Sequence, residues 1–101
     1  MMHMMEMGLE PSFEWNEKSN QANQRKHGVS FEEAQLAFFD SKRIVAQDLI
    51  HSGKEQRFYC FGKVADMVVT VRFMWRENKI RIFGAGYWRQ GRSTYEKEND
   101  I

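Results

Sequence analysis

Seven residues, His51-Ser52-Gly53-Lys54-Glu55-Gln56-Arg57, bring an imidazole, a carboxylate and a guanidinium into one short segment. Together such groups can open a phosphodiester that lies beside a free 2′-hydroxyl, as in RNA, without a metal. A base takes the hydroxyl proton, arginine or lysine stabilises the charge building on the phosphate, and an acid protonates the leaving 5′-oxygen. A cation–imidazole pair, Lys26-His27, stands upstream, and Arg72 and Arg81 stand downstream. The plain structural reading of Glu55 and Arg57 is a surface ion pair of small energetic consequence, and the residues alone leave both readings open. His27, His51 and Glu55 could share a metal, but their spacing matches no metal-binding motif. The chain has no CxxC, no HExxH and no Gly-rich phosphate loop.

These groups must be held by ordered elements. Phe13-Glu14-Trp15 alternates as a short edge strand, and Asn16 is a good N-cap for a polar surface helix over residues 17–27. That helix carries Asn20, Asn23, Lys26 and His27 and has few apolar positions to pack with. Gly28 suits the left-handed residue past a helix end, and Lys26 and His27 fall where the helix dipole favours cations. Ser30 with Glu33 forms a capping box for a second helix over 31–39, with Phe31, Ala34, Phe38 and Phe39 as its core face.

Four runs rich in Val, Ile, Phe and Tyr follow, Arg43 to Asp48, Arg57 to Val64, Met67 to Trp75 and Lys79 to Ala85. Ala65-Asp66 and Arg76-Glu77-Asn78 are short enough for hairpins, so the runs predict an antiparallel meander. Val69, Val71 and Phe73 alternate with Thr70, Arg72 and Met74, which puts Arg72 on the face away from the helices. Lys79, Arg81 and Phe83 share one face of the last run. Gly91 is awkward inside a helix, so a short terminal helix is expected over 92–98. The resulting fold is α+β: two N-terminal helices on an antiparallel sheet of about four strands, closed by a short C-terminal helix.

A chain of 101 residues is one domain, expected over 12–101 behind a flexible Met-rich tail at 1–11. Eight Phe, three Trp and three Tyr supply enough apolar area for a core without disulfides, and the one cysteine, Cys60, reads as a buried thiol rather than a nucleophile. Cysteine usage fits a reducing, cytoplasmic compartment. No secretion signal is expected, because Met1 to Met7 lacks a basic start and a continuous apolar core, and no run approaches a membrane span. Net charge is only +1, yet six bases (Arg72, Arg76, Lys79, Arg81, Arg89, Arg92) meet one acid (Glu77) between residues 72 and 92. That imbalance fits a polyanionic partner, and equally the polar face of a half-exposed sheet.

In this order and at these separations the residues resemble the BrnT family of toxins from bacterial type II toxin–antitoxin pairs. The resemblance runs from Phe13 to about Asn99. It rests on Phe13-Glu14-Trp15, on Asn23-Gln24-Arg25-Lys26-His27-Gly28-Val29-Ser30-Phe31-Glu32-Glu33-Ala34, on His51-Ser52, Glu55-Gln56-Arg57-Phe58 and Gly62-Lys63, and on Val69-Thr70-Val71-Arg72-Phe73, Ile80-Arg81-Ile82 and Tyr95-Glu96. It implies a RelE-like ribonuclease that halts translation with no metal or organic cofactor. It also implies neutralisation by a BrnA-like antitoxin that carries the DNA-binding segment, in a heterotetramer that represses its own operon and touches operator DNA only through the antitoxin. The residues it implies for catalysis are Lys26, His27, Glu55, Arg57 and Arg81, with Arg72 and His51 as further RNA contacts. Glu55 is the candidate base, and its role and that of His27 could be exchanged.

The chain also departs from the family pattern. Asn16 stands where the family commonly has Asp, and Ser19 where it often has Lys. After the last strand the family commonly reads Ile-Ser-Ala-Arg, and here the stretch is Phe83-Gly84-Ala85-Gly86. The arginine missing at Gly86 leaves Arg89 or Arg92 to contact the phosphate, or leaves a weaker enzyme. A second reading is therefore a catalytically weak or inactive binding module that acts with its antitoxin in repression. A third is an interaction domain whose basic sheet face pairs with an acidic protein. His27, Glu55, Arg57 and Arg81 gathered on one concave surface would favour the nuclease.

Overall fold

The computed structural model describes residues 11–101. The order of elements is β1 (Ser12–Glu14), α1 (Glu17–His27), α2 (Phe31–Ala34), a 3-10 turn (Gln35–Phe39), β2 (Ile44–Asp48), β3 (Arg57–Val64), β4 (Met67–Arg76), β5 (Lys79–Gly86) and α3 (Arg89–Glu98). The class is α+β, but the sheet has five strands in the order β1-β5-β4-β3-β2 and is mixed. β2 to β5 form the expected antiparallel meander, while β1 pairs parallel to β5, Ser12 opposite Lys79 and Glu14 opposite Arg81. The expectation of about four antiparallel strands is thereby corrected. A three-residue run shows its alternation but not its partner. The partner is set by α1, which starts two residues after β1 and keeps running along the same strand.

Asparagine amides, rather than apolar packing, hold α1 in place. Asn23 Nδ2 donates to the Ala85 carbonyl at 2.9 Å and its Oδ1 accepts from Ala85 N at 3.2 Å, so one side chain takes the place of a sheet neighbour where β1 has ended. Asn20, only 2% exposed, accepts from Phe31 N at 2.8 Å and donates to Glu32 Oε1 at 2.8 Å. The caps follow the sequence: Asn16 accepts from Ser19 N, Gly28 has φ 73°, and the Ser30–Glu33 capping box is complete. Both two-residue hairpins use positive φ at each central residue, Ala65 and Asp66, then Glu77 and Asn78, the conformation whose twist matches paired strands.

The second helix is shorter than expected. It stays α-helical only through Ala34 and then tightens to the 3-10 form. Three residues per turn bury Ala37 and Phe38 together and turn Phe39 outward, so Phe39 is 52% exposed instead of core. The Ala37 carbonyl sits over Gly62, where a Cβ would approach to 2.3 Å. The main core, with Phe31, Phe38, Val69, Val71, Phe73, Ile80 and Ile82, lies between these helical segments and the sheet. Cys60 is fully buried there, and burial pushes its thiol up to about 12, which makes it inert.

A second, smaller cluster of Phe61, Val68 and Tyr95 lies under α3 on the opposite face. The terminal helix starts at Arg89 rather than at residue 92, because Gly91 is its contact point. A Cβ at Gly91 would lie 1.9 Å from Thr70 Oγ1, so close approach to the sheet outweighs the propensity cost. Tyr95 Oη donates to Asp40 Oδ2 at 2.6 Å, and Lys63 N donates to the same oxygen at 2.7 Å. Burial and the Asp40 carboxylate push the Tyr95 phenol up to about 12. Its folded value lies above its unfolded value, so the stability it contributes is present below about pH 10 and is lost between about pH 10 and about 12. Tyr95→Phe is expected to cost about 1.5–3 kcal/mol near neutral pH and to flatten the alkaline fall in stability, as measured by denaturant unfolding across pH.

Among the described residues no helix is long and apolar enough to cross a membrane. The expected tail at 1–11 lies outside the described residues apart from Pro11, which is buried.

Candidate active surface

Register places five side chains in one row across the whole sheet: Asp48 on β2, Arg57 on β3, Met74 on β4, Arg81 on β5 and Glu14 on β1. The next row holds Ala46, Tyr59, Arg72 and Gly84. Both rows lie on the face opposite the main core. α3 covers the end of this face near Phe61 and Thr70 and leaves the arginine end open.

Phe83 organises that end. The β4–β5 register shifts between Arg72, opposite Gly84, and Phe73, opposite Ile82, which leaves Phe83 as the extra residue of a bulge. Ile80, Ile82 and Ala85 can then all point into the core while Arg81, Phe83, Gly84 and Gly86 share the outer face. The Arg57 guanidinium lies 5.1 Å from the Phe83 ring centroid and that of Arg72 lies 5.0 Å from it. Arg72 runs across Gly84, where a Cβ would lie 3.4 Å from its Cδ. The ring fixes both cations without neutralising them. Among the described residues neither has an ion-pair partner, and the Nε atoms of both are buried without a hydrogen bond. Two fixed guanidiniums with unmet donors suit the forked recognition of a phosphate.

The other candidates are placed differently. Arg81 pairs with Glu14 at 3.4 Å, so its charge is already balanced. Glu55 pairs with Arg76 at 3.2 Å rather than with Arg57, both partners being exposed. It lines an open pocket with His51, Gly53, Lys54 and Arg57. His51 Nδ1 lies 2.9 Å from Asp48 Oδ2. Ser52 Oγ donates to the Asp48 carbonyl at 2.6 Å and accepts from Arg57 N at 2.9 Å, closing the loop onto the start of β3. Burial works against the Asp48 carboxylate, but hydrogen bonds from His51 and Tyr59 outweigh it and hold the group below the usual carboxylate range.

Lys26 and His27 are exposed at the end of α1. The His27 ring meets the Trp88 indole edge-on, with centroids 5.1 Å apart. Trp88 in turn covers Gly86, where a Cβ would meet its ring at 2.8 Å, so the indole fills the place from which a side chain at Gly86 would rise. Arg89 and Arg92 follow on the exposed first turns of α3, and Arg92 pairs with Glu96 at 3.2 Å.

The structure therefore brings Glu55, Arg57, Arg72 and His51 to one region and sets Arg81 beside them in the arginine row. It leaves Lys26, His27, Arg89 and Arg92 at the Trp88 end, and no described contact joins His27 to Glu55, Arg57 or Arg81. No group of three His, Cys, Asp or Glu close enough to hold a metal occurs among the described residues. Sequence reasoning gave no role to Phe83 or Asp48. The first is signalled by the broken alternation Ile82-Phe83-Gly84-Ala85, and the second by a strand-ending carboxylate three residues before a histidine.

A family model described as "Ribonuclease toxin, BrnT, of type II toxin-antitoxin system" matches residues 15–91. No curated protein matches the chain.

Proposed function

This chain belongs to the BrnT family of ribonuclease toxins of type II toxin–antitoxin systems, and from that membership we propose that it is a metal-independent endoribonuclease whose active surface is the open arginine face. The observation that carries this reading is the pair of guanidiniums, Arg57 and Arg72, fixed on Phe83 without an acidic partner among the described residues. Arg57 and Arg72 hold the scissile phosphate and Glu55 takes the 2′-hydroxyl proton, while Arg81, paired with Glu14 in the same row, has a lesser part. Lys26 and Arg89 extend the cationic surface along the bound strand, with His27 and Arg92 beside them. The cellular consequence is a block of translation, relieved by a BrnA-like antitoxin in a heterotetramer that reaches operator DNA through the antitoxin.

The test is incubation of the purified chain with single-stranded RNA in excess chelator. Products ending in a 2′,3′-cyclic phosphate and a 5′-hydroxyl are expected, and intact RNA in the presence of folded protein would sink the reading. That same outcome would support a non-cleaving partner that acts in repression, a second reading favoured by one observation: Trp88 fills the place over Gly86 from which the family's arginine would rise.

A further inference from the structure

One imidazole of this chain is anchored in the way proton-transfer groups usually are, and it is not His27. Asp48 is 5% exposed, and both of its carboxylate oxygens meet His51, with the Tyr59 hydroxyl bonded to the same carboxylate: Oδ2 lies 2.9 Å from ring Nδ1, and Oδ1 accepts from the backbone N at 3.2 Å. An ionised carboxylate can only accept, so Nδ1 carries the proton and Nε2 is the ring nitrogen left for other work. The ring itself is 53% exposed and lines the pocket shared with Lys54, Glu55 and Arg57. Asp48 is also the direct β-ladder neighbour of Arg57. The imidazole is thus tied to the same strand end as the phosphate-binding guanidinium.

We propose that His51 is the general acid of the cleavage reaction and that Asp48 is its positioning residue. The proposal rests on the endoribonuclease reading above. Glu55 removes the proton from the ribose 2′-oxygen, which forms a new bond to phosphorus. The bond from phosphorus to the 5′-oxygen breaks, and the imidazolium of His51 gives its Nε2 proton to that oxygen. The products are a 2′,3′-cyclic phosphate and a 5′-hydroxyl. Glu55 ends protonated and His51 neutral, so protons balance, and exchange with water restores both.

The test compares two RNA substrates that differ in one atom, an ordinary phosphodiester and one with sulfur in place of the bridging 5′-oxygen. A thiolate leaves without being protonated, so only the first substrate needs the acid. His51→Ala is expected to lose about 10²–10⁴-fold on the ordinary substrate and to cleave the sulfur substrate close to the wild-type rate. Glu55→Ala is expected to be slow on both. Asp48→Asn, which keeps the shape of the side chain, should slow only the ordinary substrate and should add nothing in the His51→Ala background, because the two residues act as one unit. Wild-type activity of His51→Ala on the ordinary substrate, or an equal loss on both substrates, would overturn the assignment. Failure of the folded wild-type chain to cleave either substrate would overturn the endoribonuclease reading and this one with it.

Discussion

Arg57→Ala is expected to lower the rate of RNA cleavage about 10²–10³-fold, the usual loss when a preorganised charge facing a transition state is removed. Three features single it out. Its guanidinium is fixed on Phe83 at 5.1 Å, no acid among the described residues neutralises it, and it lines the pocket with Glu55 and His51. Arg57→Lys keeps the charge but loses the planar fork, so it should recover only part of the activity. Stability should change little, by about 0.5–1 kcal/mol for the lost contact with the ring, which separates a chemical defect from a folding one. Arg81→Ala offers the contrast. Arg81 is already paired with Glu14 at 3.4 Å, so its loss should slow cleavage much less than that of Arg57. Single-turnover rates with thermal unfolding of the same preparations would check this. Cleavage by Arg57→Ala at the wild-type rate would remove the arginine face from the mechanism.

Gly62→Ala is expected to have the largest effect on stability. The added methyl would lie 2.3 Å from the Ala37 carbonyl oxygen and 3.0 Å from the Ala37 Cα. These are backbone atoms of the 3-10 turn and cannot swing aside as the end of a side chain could. Overpacking in a core usually costs about 1–3 kcal/mol, and this site falls at the upper end or beyond it. For a domain of this size about 3 kcal/mol lowers the melting temperature by roughly 12–24 °C. Gly53→Ala meets nothing within 4 Å and serves as the control, with little expected change. A Gly62→Ala protein that melts with the wild type would mean that the turn does not press on β3 as described.

Much of this architecture was legible in the residues because local chemistry dictates it. Asn16, Gly28, Ser30 and Glu33 do at the ends of their helices what those side chains do at helix ends generally, and β3 runs from Arg57 to Val64 as its composition predicts. What could not be read depended on contacts between distant segments. Gly91 looked like a helix breaker, and only the nearness of Thr70 shows why it must be glycine. Phe39 had helical spacing but falls outside the core because the chain tightens at Gln35. The same division holds for the candidate site. The segment His51 to Arg57 stands out in the sequence, whereas the link between Arg57 and Arg72 runs through Phe83, where the broken alternation signals a bulge but not which side chains the ring holds.

The parallel strand β1 bears on when the proposed active surface can first exist. Among the described residues β1 has a single sheet neighbour, β5, and Phe83 on β5 is the ring that holds Arg57 and Arg72. Of the described strands β1 is synthesised first, and it must wait until β2, β3 and β4 have been made before its neighbour emerges. The arginine face is completed equally late. A nascent chain made only as far as residue 78 lacks Phe83 and the whole of β5, so it can neither pair β1 nor seat Arg57 and Arg72 on their ring. The proposed active surface thus comes after synthesis of every other strand of the sheet, and no fragment that stops short of β5 contains it.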